Sequence, residues 1–333
     1  MNMYFPIYQS LEEETLKLTH DIQFTDDQLK VYSLHIGNLI IRCAIEIESI
    51  SKDLYKQLGG SANKLYFDTD CLKLLVNKWK IDKKKLQIKN ANMYFSKKHS
   101  ILIPLCKSHI KGPGGSEWKS AYQGIKHNRS KEIKKANIEN LLNALGALYI
   151  LNLYYNDESF YEGAPIRGKE PFRNNSNIFT PYICDATKVD ISYEMGDNYM
   201  EEIKNPSREE SIYIKKFSED MVRDIHYTIC YGLLNCILKI ECSGEYLEYI
   251  TKYPNEKDKP ITEIAPKIGF DINQNLRKDR NINSMTNDFI KSSKEIILNK
   301  ESQIYPTQTY KDFLKTDQAK KLIEDFKSNA NIH

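Results

Sequence analysis

The chain has 333 residues, 41% of them hydrophobic and 28% charged, which suits a protein of one or two domains able to bury a core. Its charges nearly cancel at a formal +3, so net charge dictates no polyanionic partner and local distribution has to decide. Seven cysteines without a CxxC pair fit a reducing compartment rather than a disulfide framework. The most apolar run, Leu141 to Tyr155, is shorter than the ~20 residues needed to span a bilayer. With no export-type leader in view, these features predict a cytoplasmic protein that does not enter the membrane.

In chain order, Thr25 and Gln28 stand in capping-box spacing before a long apolar stripe. Leu29, Tyr32, Ile36, Leu39, Cys43, Ile47, Ile50 and Leu54 recur every three or four residues up to Gly59-Gly60. That spacing predicts one helix of roughly 30 residues. Arg42 and Glu46 lie at i,i+4 on it, as do Glu48 and Lys52. A shorter helix is expected at about 69 to 79.

Between Lys78 and Lys98 there are eight lysines and a single aspartate, which offers a basic surface. Lys83, Lys84, Lys85 and Lys89 are its candidate phosphate-binding residues. The glycine-rich "GPGG" (112 to 115) lacks the Lys-Ser/Thr ending of a phosphate loop and is expected to act as a hinge.

The stretch "EWKSAYQGIKHNRSKE" follows, from Glu117 to Glu132. At about 100° per residue, Trp118, Tyr122, Ile125 and Arg129 fall on one face, Lys126 borders it and His127 points away. A guanidinium that extends an apolar stripe needs an anion or a carboxylate, and Glu46 is the carboxylate expected to meet it. His127 and Arg129 can share a site only across a kink, a groove or a subunit interface. A second stripe, Ile133 to Leu151, completes an antiparallel helical bundle over residues 1–155.

Residues 156–206 read as an irregular segment with one or two strands, carrying Pro165, Pro171 and Pro181. Ser207 and Glu210 then stand in capping-box spacing ahead of a helix, with further helices expected at about 282–299 and 308–328. Residues 207–333 are therefore expected to form a helical region, whose role the sequence does not state. The fold class expected is mainly α. The seven histidines show no metal-ligand spacing, so neither a metal nor a cofactor is expected.

The ordered patterns R-x-x-I-E-I-E-S-I-x-K (from Arg42), W-x-x-x-Y-x-x-x-K-H-x-R (from Trp118) and AN-x-x-N-x-L-x-AL (from Ala136) resemble HEPN-like helical bundle proteins of bacteria. The likeness covers about residues 25–155. It implies a dimer acting on RNA in an antiviral-defence or toxin–antitoxin setting, as a metal-independent ribonuclease. It further implies His127 as the acid/base, Arg129 and Lys126 as phosphate ligands, Glu46 as their orienting carboxylate, and Trp118 and Tyr122 as RNA contacts. HEPN nucleases place an Arg upstream of the His, where this chain has Ala121, Tyr122 and Gln123. The alternative is a non-catalytic module that binds RNA without cleaving it, or that binds a partner protein through residues 207–333.

Overall fold

The computed structural model describes residues 3–61, 65–157, 159–162, 175–185, 189–191, 200–202, 208–280, 282–284, 287, 294–300 and 313–329. The fold is mainly helical with a few small sheets. Two compact units share the chain, and neither is continuous. The first holds residues 1–185, 204–216 and 295–302; the second holds 186–203, 217–294 and 303–333. This differs from the linear division expected at 155 and 206, because two late segments return to the first unit as strands.

In the first unit, helix α1 (Tyr4–Leu18), α2 (Leu34–Gln57), α3 (Lys73–Trp79), α4 (Glu117–Glu132) and α5 (Ile138–Asn156) surround one core. Helix α5 is buried on nearly every side, from Ile138 to Tyr154, as an apolar helix at the centre of a domain must be. Helix α2 packs on α1, α4 and α5, of which α1 was not predicted, and α5 begins at Ile138 rather than at Ile133 where its stripe was expected to start.

The start of α2 corrects the sequence reading. Ser33, not Thr25, is its N-cap, accepting a hydrogen bond from the Ile36 amide at 3.1 Å. Thr25 instead pairs in parallel with Tyr94 in a two-residue strand. Leu29 and Tyr32 therefore lie outside the helix, which spans 24 residues. The Ser33 amide bonds the Ala136 carbonyl at 3.2 Å, so tertiary pairing wins over the earlier capping signal.

Within the lysine-rich segment, Leu86–Ile88 forms the central strand of an antiparallel sheet between Ile101–Leu102 and Phe179–Pro181. Leu86 and Ile88 are buried and Gln87 exposed, the alternation of a strand with one covered face. Gly146 on α5 allows this layer to approach: a Cβ there would stand 3.0 Å from Pro104 and 3.2 Å from Leu86.

A second sheet of the first unit orders Phe160–Glu162, Lys294–Leu298, Tyr213–Lys216 and Ile183–Asp185. These strands take the place of the first turns of the helix expected from 207 and of the last part of the one expected over 282–299, whose residues 282–284 and 287 are helical. β-branched Ile212, Ile214, Ile296 and Ile297 favour the extended state, and burial against the core decides the matter.

In the second unit the long helix starts at Glu219 behind an Ser218 cap and runs to Glu241. Ser207, the residue expected to cap it, lies outside the described residues. One side of this helix packs on Ile261, Leu276 and Ile282, the other on Phe313 and Ala319. A final helix, Asp317–Asn329, matches the latter part of the last one expected and ends one residue beyond it. Among the described residues no helix is long and apolar enough to cross a membrane.

Candidate functional site at the α2–α4 groove

Helix α4 buries Trp118, Ala121, Tyr122 and Ile125, the face that its spacing predicts. Trp118 donates its indole N–H to the Pro104 carbonyl at 2.8 Å. Trp118 and Tyr122 are 1% and 2% exposed, so both are core residues with little surface left for a base to stack on.

The helix breaks at Asn128, whose φ −148°, ψ 55° lies outside the helical region. A kink is present, as a shared site for His127 and Arg129 would require, but it does not bring the two together. Past it, Arg129 leaves the apolar stripe and becomes exposed instead of buried. It lines a concavity of about 450 Å³ with Glu14, His35, Asn38, Ile41 and Arg42. Arg42 is held there by Glu14 of α1, whose two carboxylate oxygens each accept from Nη1 at 2.7 Å.

His127 and Lys126 are exposed on the other side of the break. The histidine of the concavity is His35, so Arg129 and His127 are not gathered into it together. Lys126 lies over the Tyr122 ring at 5.2 Å from its centroid and donates to its hydroxyl at 3.2 Å. That hydroxyl holds the Lys126 ammonium above its ordinary value, with Glu48 adding to the effect.

The carboxylate beside Tyr122 and Lys126 is Glu48 and not Glu46. Glu46 is half-buried one turn from Arg42 on its own helix. Burial raises its carboxyl above the usual range while Arg42 pulls the other way. The role expected of Glu46 toward Lys126 thus passes, by position, to Glu48, while the carboxylate that shares a concavity with Arg129 is Glu14.

The basic segment is less free than its composition suggests. Lys83 is ion-paired with Glu209, and Lys85 with Glu210 at 2.7 Å. Lys84 is 1% exposed and donates to the Glu209 carbonyl at 3.1 Å. Lys89 is exposed. Of the four lysines, only Lys83 and Lys89 stand on the open surface, and Lys83 is already paired.

Several polar groups escaped the sequence reading. Lys119 is buried, 3.0 Å from Asp68, and also donates to the Ser108 and Ile110 carbonyls at 2.9 and 2.5 Å. It pins the loop leading to "GPGG", which was expected to hinge. Glu14 was missed with the whole of α1, whose Tyr4, Tyr8, Leu11, Thr15 and Leu18 spacing is interrupted by Pro6 in its first turn. His35 and Arg42 stand seven residues apart, two helical turns, and that signal was legible.

No family model matches the chain, and neither a curated protein nor a solved structure is similar to it. Function therefore has to be argued from the arrangement alone. The concavity joins an imidazole, two guanidiniums and one carboxylate that orients a guanidinium. Such a set can bind a phosphate and move a proton.

Proposed function

We propose that this chain is an RNA-directed, HEPN-like protein that works as a dimer, with His35, Arg42 and Arg129 at the centre of its site. The convergence of those three side chains on one concavity carries the reading. Arg42 and Arg129 bind the scissile phosphate and the charge that develops on it. An imidazole takes the proton of the 2′-OH as its oxygen attacks phosphorus. The 5′-oxygen leaves with a proton, giving a 2′,3′-cyclic phosphate and a 5′-OH end. His127 lies outside this concavity, and a role for it in either transfer would require the partner copy to bring it to the phosphate.

The dimer rests on a different observation. Leu34 and Ile45 are 63% and 50% exposed, and Ile41 shares their side of α2 at about 100° per residue. This apolar stripe borders His35 and Arg42, so a second copy seated on it would place two such sets beside one another. The same stripe also favours the second reading, an interaction module without chemistry.

The test is incubation of purified protein with transfer RNA in the presence of a metal chelator. His35→Ala, Arg129→Ala and His127→Ala variants run alongside, with the chemistry of the new ends read. Loss of cleavage in His35→Ala and Arg129→Ala supports this site. No cleavage at any dose by the unaltered chain removes the nuclease, and equal cleavage by all four removes the concavity.

A further inference from the structure

The first unit contains another cavity, of about 350 Å³, apart from the α2–α4 groove. Its lining includes Lys78, Lys80, Lys84, Arg208 and Lys300, against one carboxylate, Glu209. Glu209 is engaged by Lys83, and Lys300 by Asp157 at 2.6 Å. Trp79 forms an apolar wall, stacked on Tyr154 with ring centroids 5.0 Å apart. The floor is rigid: Asn299 donates to the Arg208 and Ser211 carbonyls at 2.6 and 3.0 Å, and its own carbonyl accepts from the Tyr154 hydroxyl at 2.8 Å.

Two features of this cavity are costly for a purely structural element. Lys84 is buried, and the one hydrogen bond of its ammonium among the described residues runs to a neutral carbonyl. Lys80 holds a left-handed backbone at φ 54°, ψ 39°, a conformation that suits glycine, where it caps α3.

We propose that this cavity is a binding site for a small molecule bearing a terminal phosphate. A monoester presents a compact dianionic head that can reach into a cleft of this size and meet the Lys84 ammonium. A phosphodiester within an RNA strand is flanked by sugar on both sides and cannot bring its oxygens to a buried amine. The exposed Lys78 and Lys80 draw the anion in, and Trp79 takes the less polar part of the ligand. The site does not involve His35, Arg42 or Arg129, so it stands or falls separately from the proposed ribonuclease.

Occupancy has a protonic signature. Burial holds Lys84 down at about 7, with Arg208 and Lys83 acting in the same direction and Glu209 and Asp82 against it. A bound dianion favours the charged amine, so binding takes up a proton when the pH lies above that value.

The experiment is calorimetric titration of the full chain with adenosine monophosphate, pyrophosphate and sulfate, and with a ten-residue oligouridine lacking terminal phosphates. Lys84→Met and Lys80→Gly serve as variants. Lys84→Met removes a buried cation and Lys80→Gly relieves a strained backbone, so both are expected to stay folded, with thermal melts as the check. Adenosine monophosphate and pyrophosphate should bind, each losing about tenfold or more in Lys84→Met and several-fold in Lys80→Gly. Sulfate, a dianion throughout, should bind at least about tenfold more weakly at pH 8.5 than at pH 6.5. Absence of binding by the phosphates, equal affinity in folded Lys84→Met, or competition by the unphosphorylated oligouridine would overturn the proposal.

Discussion

The Lys119 ammonium lies 3.0 Å from the Asp68 carboxylate inside the first unit, with both side chains nearly closed off from water. Breaking this pair strands a buried charge. Lys119→Ala should cost about 3–5 kcal/mol in urea unfolding, whereas joint replacement, Lys119→Met with Asp68→Leu, should recover most of that loss. The Ser108 and Ile110 carbonyls lose their donor in both variants, so recovery will be incomplete.

Glu12 carries a second buried anchor. It is 1% exposed and accepts from the Tyr8 hydroxyl at 2.7 Å and from the Asn177 and Ile178 amides at 3.0 and 3.2 Å. Glu12→Ala takes away the acceptor these buried donors share, with only Ser176 Oγ still in reach of Tyr8 and Ile178, and should destabilise the chain by roughly 2–4 kcal/mol. Tyr8→Phe removes the hydroxyl that reaches Glu12 at 2.7 Å and Ser176 at 2.8 Å, keeps the ring, and should cost about 1–2 kcal/mol.

Lys84 makes stability depend on pH. Its amine titrates at about 7 in the folded chain against an ordinary 10.5, because burial penalises the charge. Between those values the unfolded chain holds a proton that the folded chain has released. Stability therefore rises as pH increases across that window, by up to about 1.4 kcal/mol per pH unit, and is lowest on this account below it. Lys84→Met should flatten the profile measured by denaturant unfolding between pH 6.5 and 9.5, and an unchanged slope would show another group to be responsible.

On the proposed function, Arg129→Ala separates RNA binding from folding. The arginine is exposed beyond the Asn128 break, so Arg129→Ala should leave the melting temperature within about 2 °C. RNA affinity should fall, with the slope of log affinity against log salt reduced by about 1, the mark of one lost phosphate contact.

Periodicity made α2, α4 and α5 legible, though not α1, and on α2 Ile36, Leu39, Cys43, Ile47, Ile50 and Leu54 all enter the core. Capping chemistry misled at Thr25 because a Ser-based cap nearer the stripe, fixed by Ala136, competes with it. The strands at 213–216 and 294–298 were hidden because short apolar runs do not distinguish strand from helix, and only pairing across distant segments settles them. The candidate site was half legible. Arg129 stood out in sequence as a charge extending an apolar face, yet the kink that takes it off that face comes from Asn128, an unremarkable residue in sequence. Glu48 replaced Glu46 because helix rotation, which spacing fixes only relative to a known face, turns Glu48 toward α4.

The return of 204–216 and 295–302 to the first unit has a cost in time. During synthesis the ribosome must deliver almost the whole chain before strand Lys294–Leu298 can close its sheet against Tyr213–Lys216. Until then the neighbouring apolar edge waits for its last partner, inviting chaperones or mispairing. A truncation after residue 206 would thus amputate part of the first unit along with the second, and an informative deletion is an internal excision between 217 and 293.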